Sequence, residues 1–352
     1  MTSMYSLKAQ KNTNGEAMSA CKVGAKAGGP PFIWAGVGDG PMYHQNINKS
    51  LKTNNKSFEL IIKNLHTALL MRVIRLLFVF AFFPFLHAET VVCSFSILQN
   101  LCTQLCQGID SIQVHTIVPK SVDPHMYQPK PSDSKMLAKA DLVITNGLNL
   151  EGWITNLIDG SGYKGKVIIA SENISARYLG KLPDPHVWHS PKLINLMIDN
   201  IANALKDAFP NHTSTFEKNA ISLKATFNEL QINVTELFAK IPQSKRVMLT
   251  THDAFSYFAQ CYNVVVLSPQ GVSTSDDPSA ADMKNLIGQI RSLQISAIFL
   301  ENLSNPKILN AIANETGKKV SGVLYADTLK DDLNLQDTLW YNAVVIAGAM
   351  NA

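Results

Sequence analysis

Three histidines and one aspartate stand out because each follows a short run rich in β-branched residues. His125 lies in VDPHMYQP after Ile112–Val118, and His186 in PDPHVWHSP beyond Lys166–Ala170. His252 lies in TTHDAFSYF after Arg246–Thr250, and Asp327 in LYADTL after Lys319–Tyr325. Imidazole nitrogens and a carboxylate are a usual donor set for Zn²⁺ and serve other first-row divalent ions. Singly, each residue has an ordinary reading. A loop histidine is commonly solvated or hydrogen-bonded, Asp327 could cap a helix, and Asp-Pro before His125 and His186 is turn chemistry. Their joint placement is the signal, because each half of the chain supplies two of them at the same kind of position. In parallel α/β sheets, ligand sites form beyond the carboxyl ends of the strands. Two such sheets facing each other would bring all four side chains to one cleft.

Other residues sit close to this set in the sequence. Glu301 closes the run Ser296–Glu301 and either orients a ligating histidine through its second ring nitrogen or is held by backbone amides. His189 adds a supporting imidazole or lies on the surface. Trp188, Phe255 and Tyr257 suit a cleft wall and suit ordinary core packing equally well. Gly160-Ser-Gly162-Tyr-Lys-Gly165 spells GxGxxG, yet it leads from a helical stretch into the strand Lys166–Ala170. A dinucleotide fingerprint runs the other way, from strand to helix, so these glycines form a turn.

The elements that must position these side chains alternate between strand and helix, which predicts an α/β fold with parallel sheets. Four strand-like runs occupy the first half: Val91–Ile97, Ile112–Val118, Asp141–Thr145 and Lys166–Ala170. Four more occupy the second: Arg246–Thr250, Val264–Ser268, Ser296–Glu301 and Lys319–Tyr325. Between them Phe216, Ala220, Leu223, Phe227, Leu230, Val234, Leu237 and Ile241 recur at spacings of four and three, one stripe of a long helix. Asn211 or Thr213 can cap its start and Pro242 limits its end. At 1.5 Å per residue such a helix is a rod of roughly 40 Å. It either joins two lobes across their back or packs within one of them. The expected architecture is thus two lobes, each a four-stranded, mostly parallel sheet flanked by helices, joined by one long backbone helix. Its boundaries fall at 89–208 for the first lobe, 209–241 for the linking helix and 242–352 for the second lobe.

Charge separates this body from what precedes it. Of 31 basic and 27 acidic residues, the first 88 positions hold ten and three, so residues 89–352 carry a net charge of −3. That balance excludes the basic footprint of a nucleic-acid binder. Met71, Arg72 and Arg75 lead into the apolar run Leu76–Leu86 and then His87-Ala88, the parts of a secretory signal at 71–88. The run is too short to span a bilayer, which needs roughly 20 apolar residues. Cleavage after Ala88 would leave Glu89 first, with no cysteine directly after the cut to carry a lipid. Residues 1–70, polar and without sustained periodicity, are expected to be disordered; either translation starts at Met71 or they form a long leader. Export permits disulfides, so Cys93, Cys102, Cys106 and Cys261 are either buried free thiols or include one bridge.

From about Val91 to the C-terminus the sequence resembles the metal-binding solute-binding proteins of ABC importers for zinc and manganese. The resemblance rests on VDPHMYQPKPSD (122–133), KADLVITNGLNLEGW (139–153), DPHVW (184–188), HDAFSYFA (252–259), GVSTSDDPSAADM (271–283), IFLEN (298–302) and LYADTL (324–329). It implies two lobes joined by a rigid helix, ligands at His125, His186, His252 and Asp327, and a periplasmic, monomeric binder serving a membrane permease. It implies no enzymatic activity. Storage or chaperoning of metal, surface adhesion and, last, zinc hydrolysis are the alternatives. Three imidazoles favour zinc, since manganese-selective relatives tend to carry a carboxylate where His252 stands and oxygen donors suit the harder ion. The sequence departs from the pattern in His189-Ser190 after DPHVW, and in having no His-rich loop; the second departure keeps manganese or iron open as the cargo.

Overall fold

The computed structural model describes residues 55–56, 58–75, 88–275, 279–293 and 295–352. Residues 58–75 form helix α1, whose apolar side chains, Phe58, Leu65 and Leu69 among them, are exposed. Of residues 1–70, expected to be disordered, only 55–56 and 58–70 lie among the described residues. The proposed signal lies outside the described residues except for Met71–Arg75 and Ala88. No helix among the described residues is long and apolar enough to cross a membrane.

Leu86–Ala352 form one compact unit holding two sheets. The first contains β1 (Glu89–Phe95), β2 (Ile112–Val118), β3 (Leu142–Thr145) and β4 (Lys166–Ile169), in the order β2-β1-β3-β4 and parallel throughout. Helices α2 (Ser96–Leu105), α3 (Pro131–Leu137) and α4 (Ile154–Ser161) make its connections. The second contains β7 (Val247–Leu249), β8 (Val265–Leu267), β9 (Ala297–Glu301) and β10 (Val320–Leu324), in the order β10-β9-β7-β8, again all parallel. Its helices are α7 (Ser256–Tyr262), α8 (Ala280–Ser292) and α9 (Pro306–Thr316), and the chain ends on α10 (Leu335–Asn351). The eight expected strands are all present. The first is shorter at its carboxyl end than its apolar run suggested, because Ser96 and Ile97 already begin α2. Gly162 closes α4 in the left-handed conformation ahead of β4, so the GxGxxG spelling is a turn.

Between the sheets run β5 (Tyr178–Leu179) and β6 (Leu182–Pro183), a small antiparallel hairpin that the sequence reading missed. Helix α5 (Pro191–Ala208) then leads to α6 (Thr213–Ala239). At 27 residues α6 is the long rod, about 40 Å from end to end. His212 holds the N-cap position and no side chain caps it; Thr213 instead donates to Pro210 O at 2.9 Å. The buried stripe runs Phe216, Ala220, Leu223, Phe227, Leu230, Val234 and Phe238, with Phe238 taking the place expected for Leu237. It packs on α2 and α5 on one side and on α7 and α10 on the other, so it backs both sheets. Asn219 ties it to the first lobe by donating to Leu105 O and Gln107 O, both at 2.9 Å.

One apolar core runs through both lobes, from Phe95 and Leu142 past Phe216 and Phe227 to Phe255, Leu324 and Ile346. A smaller core, with Val247, Leu249, Ile298 and Leu309, lies under the outer helices of the second sheet. Because the lobes share buried side chains, moving one against the other would expose apolar surface to water. The described cysteines are all free; Cys93 Sγ lies 3.4 Å from Cys102 Sγ in the first core.

Candidate metal centre

The carboxyl ends of both sheets face the same cleft, and the four expected residues meet there. One ligand-type atom from each of His125, His186, His252 and Asp327 lies within 4.8 Å of every other. His186 Nε2 is 3.3 Å from His125 Nε2 and 3.2 Å from His252 Nε2. Asp327 carboxylate oxygens lie 3.4 Å from His186 Nε2, 3.4 Å from His252 Nε2 and 3.8 Å from His125 Nε2. A tetrahedron with ligand bonds of about 2.0–2.1 Å has edges of about 3.3–3.4 Å; the two contacts from His186 Nε2 to the other rings match such edges, while the Asp327 contacts are divided between Oδ1 and Oδ2. Asp327 Oδ1 is buried and makes no hydrogen bond, an acceptor that a cation would satisfy.

The ring tautomers follow from the outer contacts, because a carboxylate only accepts. Asp184 Oδ1 takes the Nδ1–H of His186 at 2.7 Å, and Glu301 Oε2 takes that of His252. Both rings then point Nε2 at the centre, so the proton on that nitrogen is the one a cation would displace, which is how a second carboxylate prepares a ligating imidazole. Glu301 thus performs both tasks weighed for it, since its Oε1 also accepts the backbone N–H of Thr251 and of His252, at 2.9 and 3.0 Å. Asp184 is a residue whose role the sequence reading missed. Its signal was the repeated Asp-Pro-His: Asp123 and Asp184 each accept the backbone N–H of the histidine two positions on, at 2.8 and 3.0 Å. These are the turns that Asp-Pro implied, and at His186 the same oxygen also serves the ring.

Charge at the centre is divided unevenly. Burial favours a neutral His186, yet the carboxylates of Asp184 and Asp327 outweigh it and hold the ring up at about 10. Burial likewise opposes protonation of His252, while Glu301 and Asp327 raise it. His125 is pushed down to about 3, chiefly by burial, with Asp327 pulling the other way. Burial would raise Asp327, but the three imidazoles hold its carboxyl well below the usual range. The metal-free cluster therefore keeps a proton where a divalent cation would sit.

Local structure fixes each ligand loop. Trp153 Nε1 donates to Pro124 O at 2.8 Å, directly before His125, and Asn146 Nδ2 donates to Pro185 O at 3.1 Å, directly before His186. Both donors belong to the turn after β3, which is itself tied down by Glu151 accepting Asn146 N and Gly147 N at 2.7 and 3.2 Å. Gly147 has φ +82°, and a Cβ there would lie 2.4 Å from Ile169 Cγ2, so this turn requires glycine. His186 does not follow β4 directly; the β5–β6 hairpin intervenes and delivers it onto a short 3₁₀ turn, Val187–His189. His252 and Asp327 come within three residues of the ends of β7 and β10. His189 is buried, and its Nε2 is 3.1 Å from Ala326 O rather than in the cluster. Trp188, Phe255 and Tyr257 are buried too, Trp188 packing 5.1 Å from Phe95 and 5.3 Å from His186 between ring centroids. A cavity of about 200 Å³ opens above His125, lined by Leu148 and Leu182 from one lobe and Val272 and Ser273 from the other.

Comparison with known proteins places this arrangement in a family. The sequence model of "Zinc-uptake complex component A periplasmic" (ZnuA) matches residues 91–347. The chain belongs to this family. It is 34% identical over 232 residues to the manganese-binding lipoprotein MntA of Bacillus subtilis, covering 63% of this chain and 76% of that protein. It is 28% identical over 253 residues to the manganese ABC transporter substrate-binding lipoprotein PsaA of Streptococcus pneumoniae, covering 68% and 81%. Among solved structures, the periplasmic zinc-binding protein TroA of Treponema pallidum matches with a TM-score of 0.71 at 26% identity, over 74% of this chain and 99% of TroA. The Mn-bound periplasmic metal-binding protein of Candidatus Liberibacter asiaticus matches with a TM-score of 0.68 at 26% identity, over 74% and 99%. The two lobes and the long helix of this ZnuA-family chain are the fold of these structures.

Proposed function

We propose that this chain captures one divalent transition-metal ion outside the cytoplasm, through His125, His186, His252 and Asp327, and hands it to the membrane permease of an ABC importer. One observation carries the reading: four donor atoms from both lobes converge within 4.8 Å, with Nδ1 of two rings held by carboxylates so that Nε2 points to the centre. Family membership and the importer-component names of its relatives support delivery to a permease. Export would use residues 71–88, leaving a monomer of residues 89–352 with lobes at 89–208 and 242–352 and the connector at 209–241. Four protein donors close a tetrahedral shell and leave no open position for a reacting water, which argues against hydrolysis.

Zinc is the ion we propose to bind most tightly. Three imidazoles and one carboxylate at tetrahedral spacing suit it, and the general affinity order already sets Zn²⁺ above Mn²⁺. That order governs affinity in solution, while the cargo in the cell also depends on supply; manganese or iron is the alternative cargo. Native mass spectrometry of the metal-loaded protein, with thermal melting against Zn²⁺, Mn²⁺ and Fe²⁺, tests the proposal. A single bound ion and a raised melting temperature are expected, by mass action on the folded state. No stabilisation by any of the three would overturn it. Metal transfer to the purified permease separates delivery from storage.

A further inference from the structure

The backbone carbonyl directly before three of the four ligands is held by a side-chain N–H. For His125 and His186 the donors, Trp153 and Asn146, come from the same lobe as the ligand. For Asp327 they come from the opposite lobe, and there are two: Trp188 Nε1 at 2.8 Å and His189 Nε2 at 3.1 Å both reach Ala326 O. All three residues are buried, Trp188 fully and His189 and Ala326 to within 2%. A carbonyl has two lone pairs, and here both are taken by neighbouring rings of one turn. Ala326 belongs to the loop after β10, whose own lobe supplies Asp327.

The chemistry of His189 says what the tie is for. Ala326 O only accepts, so the His189 proton must be on Nε2, and Nδ1 is left as a bare acceptor. That Nδ1 is buried without a hydrogen-bond partner among the described residues. The ring packs against Phe255, tilted by 36°, with centroids 4.5 Å apart. A buried acceptor left unpaired is destabilising, and a leucine would fill such a place without that cost. As a core residue His189 is a poor choice; as a donor to Ala326 O it does something leucine cannot.

We infer that His189, with Trp188, is a positioning residue: it clamps the Ala326 carbonyl from across the cleft and thereby fixes the Asp327 carboxylate and the rate at which the bound metal leaves. The inference rests on the proposed role of Asp327 as a ligand. With the clamp intact, Asp327 cannot swing away with its own lobe's loop unless two hydrogen bonds to the first lobe break together. Release of the ion then begins with loss of this clamp.

The test uses the full mature chain loaded with Zn²⁺ and a stopped-flow measurement of zinc release to an excess of chromophoric chelator. His189→Leu should release zinc on the order of tenfold faster, the effect of losing one buried hydrogen bond, while the metal-free protein melts no lower than the parent. His189→Gln, which can again present an N–H to Ala326 O, should return release to within about threefold of the parent. Trp188→Phe, which removes the other donor and keeps an aromatic ring, should also speed release and serves if the leucine variant fails to fold. A parental release rate in both His189→Leu and Trp188→Phe would overturn the clamp. So would faster release that His189→Gln fails to restore, since that is a packing effect. Failure of the ligand assignment looks different: Asp327→Ala would then bind zinc as tightly as the parent, and the clamp would have nothing to position.

Discussion

Replacing Glu301 by glutamine changes one atom and tests how the second lobe prepares its histidine. Glu301 Oε1 accepts two backbone N–H groups, from Thr251 and His252, while Oε2 accepts the His252 Nδ1–H and lies 3.3 Å from Ser304 Oγ. Glutamine has one acceptor oxygen, and the two backbone donors claim it. Its amide NH₂ then faces His252 Nδ1, and two donors cannot share that contact. The ring resolves this by moving its proton to Nε2, which occupies the lone pair aimed at the metal. Ligation must then reverse the tautomer against a hydrogen bond that favours the wrong one. Loss of such an outer partner typically weakens metal binding about 10–100-fold, which is about 1.4–2.7 kcal/mol. Because the backbone contacts survive, the metal-free variant should melt close to the parent. Competition titration of zinc against a chelator, for Glu301→Gln and parent, reads the difference directly. Parental affinity in a normally folded Glu301→Gln would refute the tautomer argument and reduce Glu301 to a cap on the Thr251–His252 backbone.

Three further outcomes are expected. His252→Ala should weaken both zinc and manganese, and His252→Glu should weaken zinc while narrowing its advantage over manganese, because a carboxylate suits the harder ion; chelator competition with each metal checks both. Since His186 holds a proton up to about 10 in the metal-free cluster, zinc must displace at least one proton near pH 7, so affinity should rise with pH, and calorimetry in buffers of different ionisation enthalpy should show the released proton. A buffer-independent heat would contradict this. Phe227→Ala, in the middle of the buried stripe of α6, should cost about 3–5 kcal/mol of stability, a melting decrease of about 10 °C for a unit of this size. Zinc affinity measured well below that transition should stay within about twofold of the parent, because Phe227 belongs to the shared core and is not among the four donor residues.

The sequence by itself determined the alternation of strand and helix, the two sets of four strands and the apolar stripe of α6, because these depend on local periodicity and on side chains that need burial. It also determined the four metal-centre candidates, since a donor residue placed just after a strand needs no distant information. Helix ends were less legible: Asn211 and Thr213 are both good cap types, yet the backbone turns at His212 because Pro210–His212 form a separate 3₁₀ turn. Other choices belonged to the tertiary structure. Glu301 read equally as an orienting carboxylate or as a backbone acceptor, and only folding showed one carboxylate doing both. His189 read as a supporting imidazole or a surface residue, and the packed molecule buries it. Its Nε2 meets a carbonyl 137 positions away, a contact that exists only because the shared core holds the two lobes face to face. The tautomers of His186 and His252 depend in the same way on which carboxylates the fold sets behind them. Local pattern fixes which residues can offer a lone pair, whereas the direction of that lone pair is set by contacts that only close packing brings together.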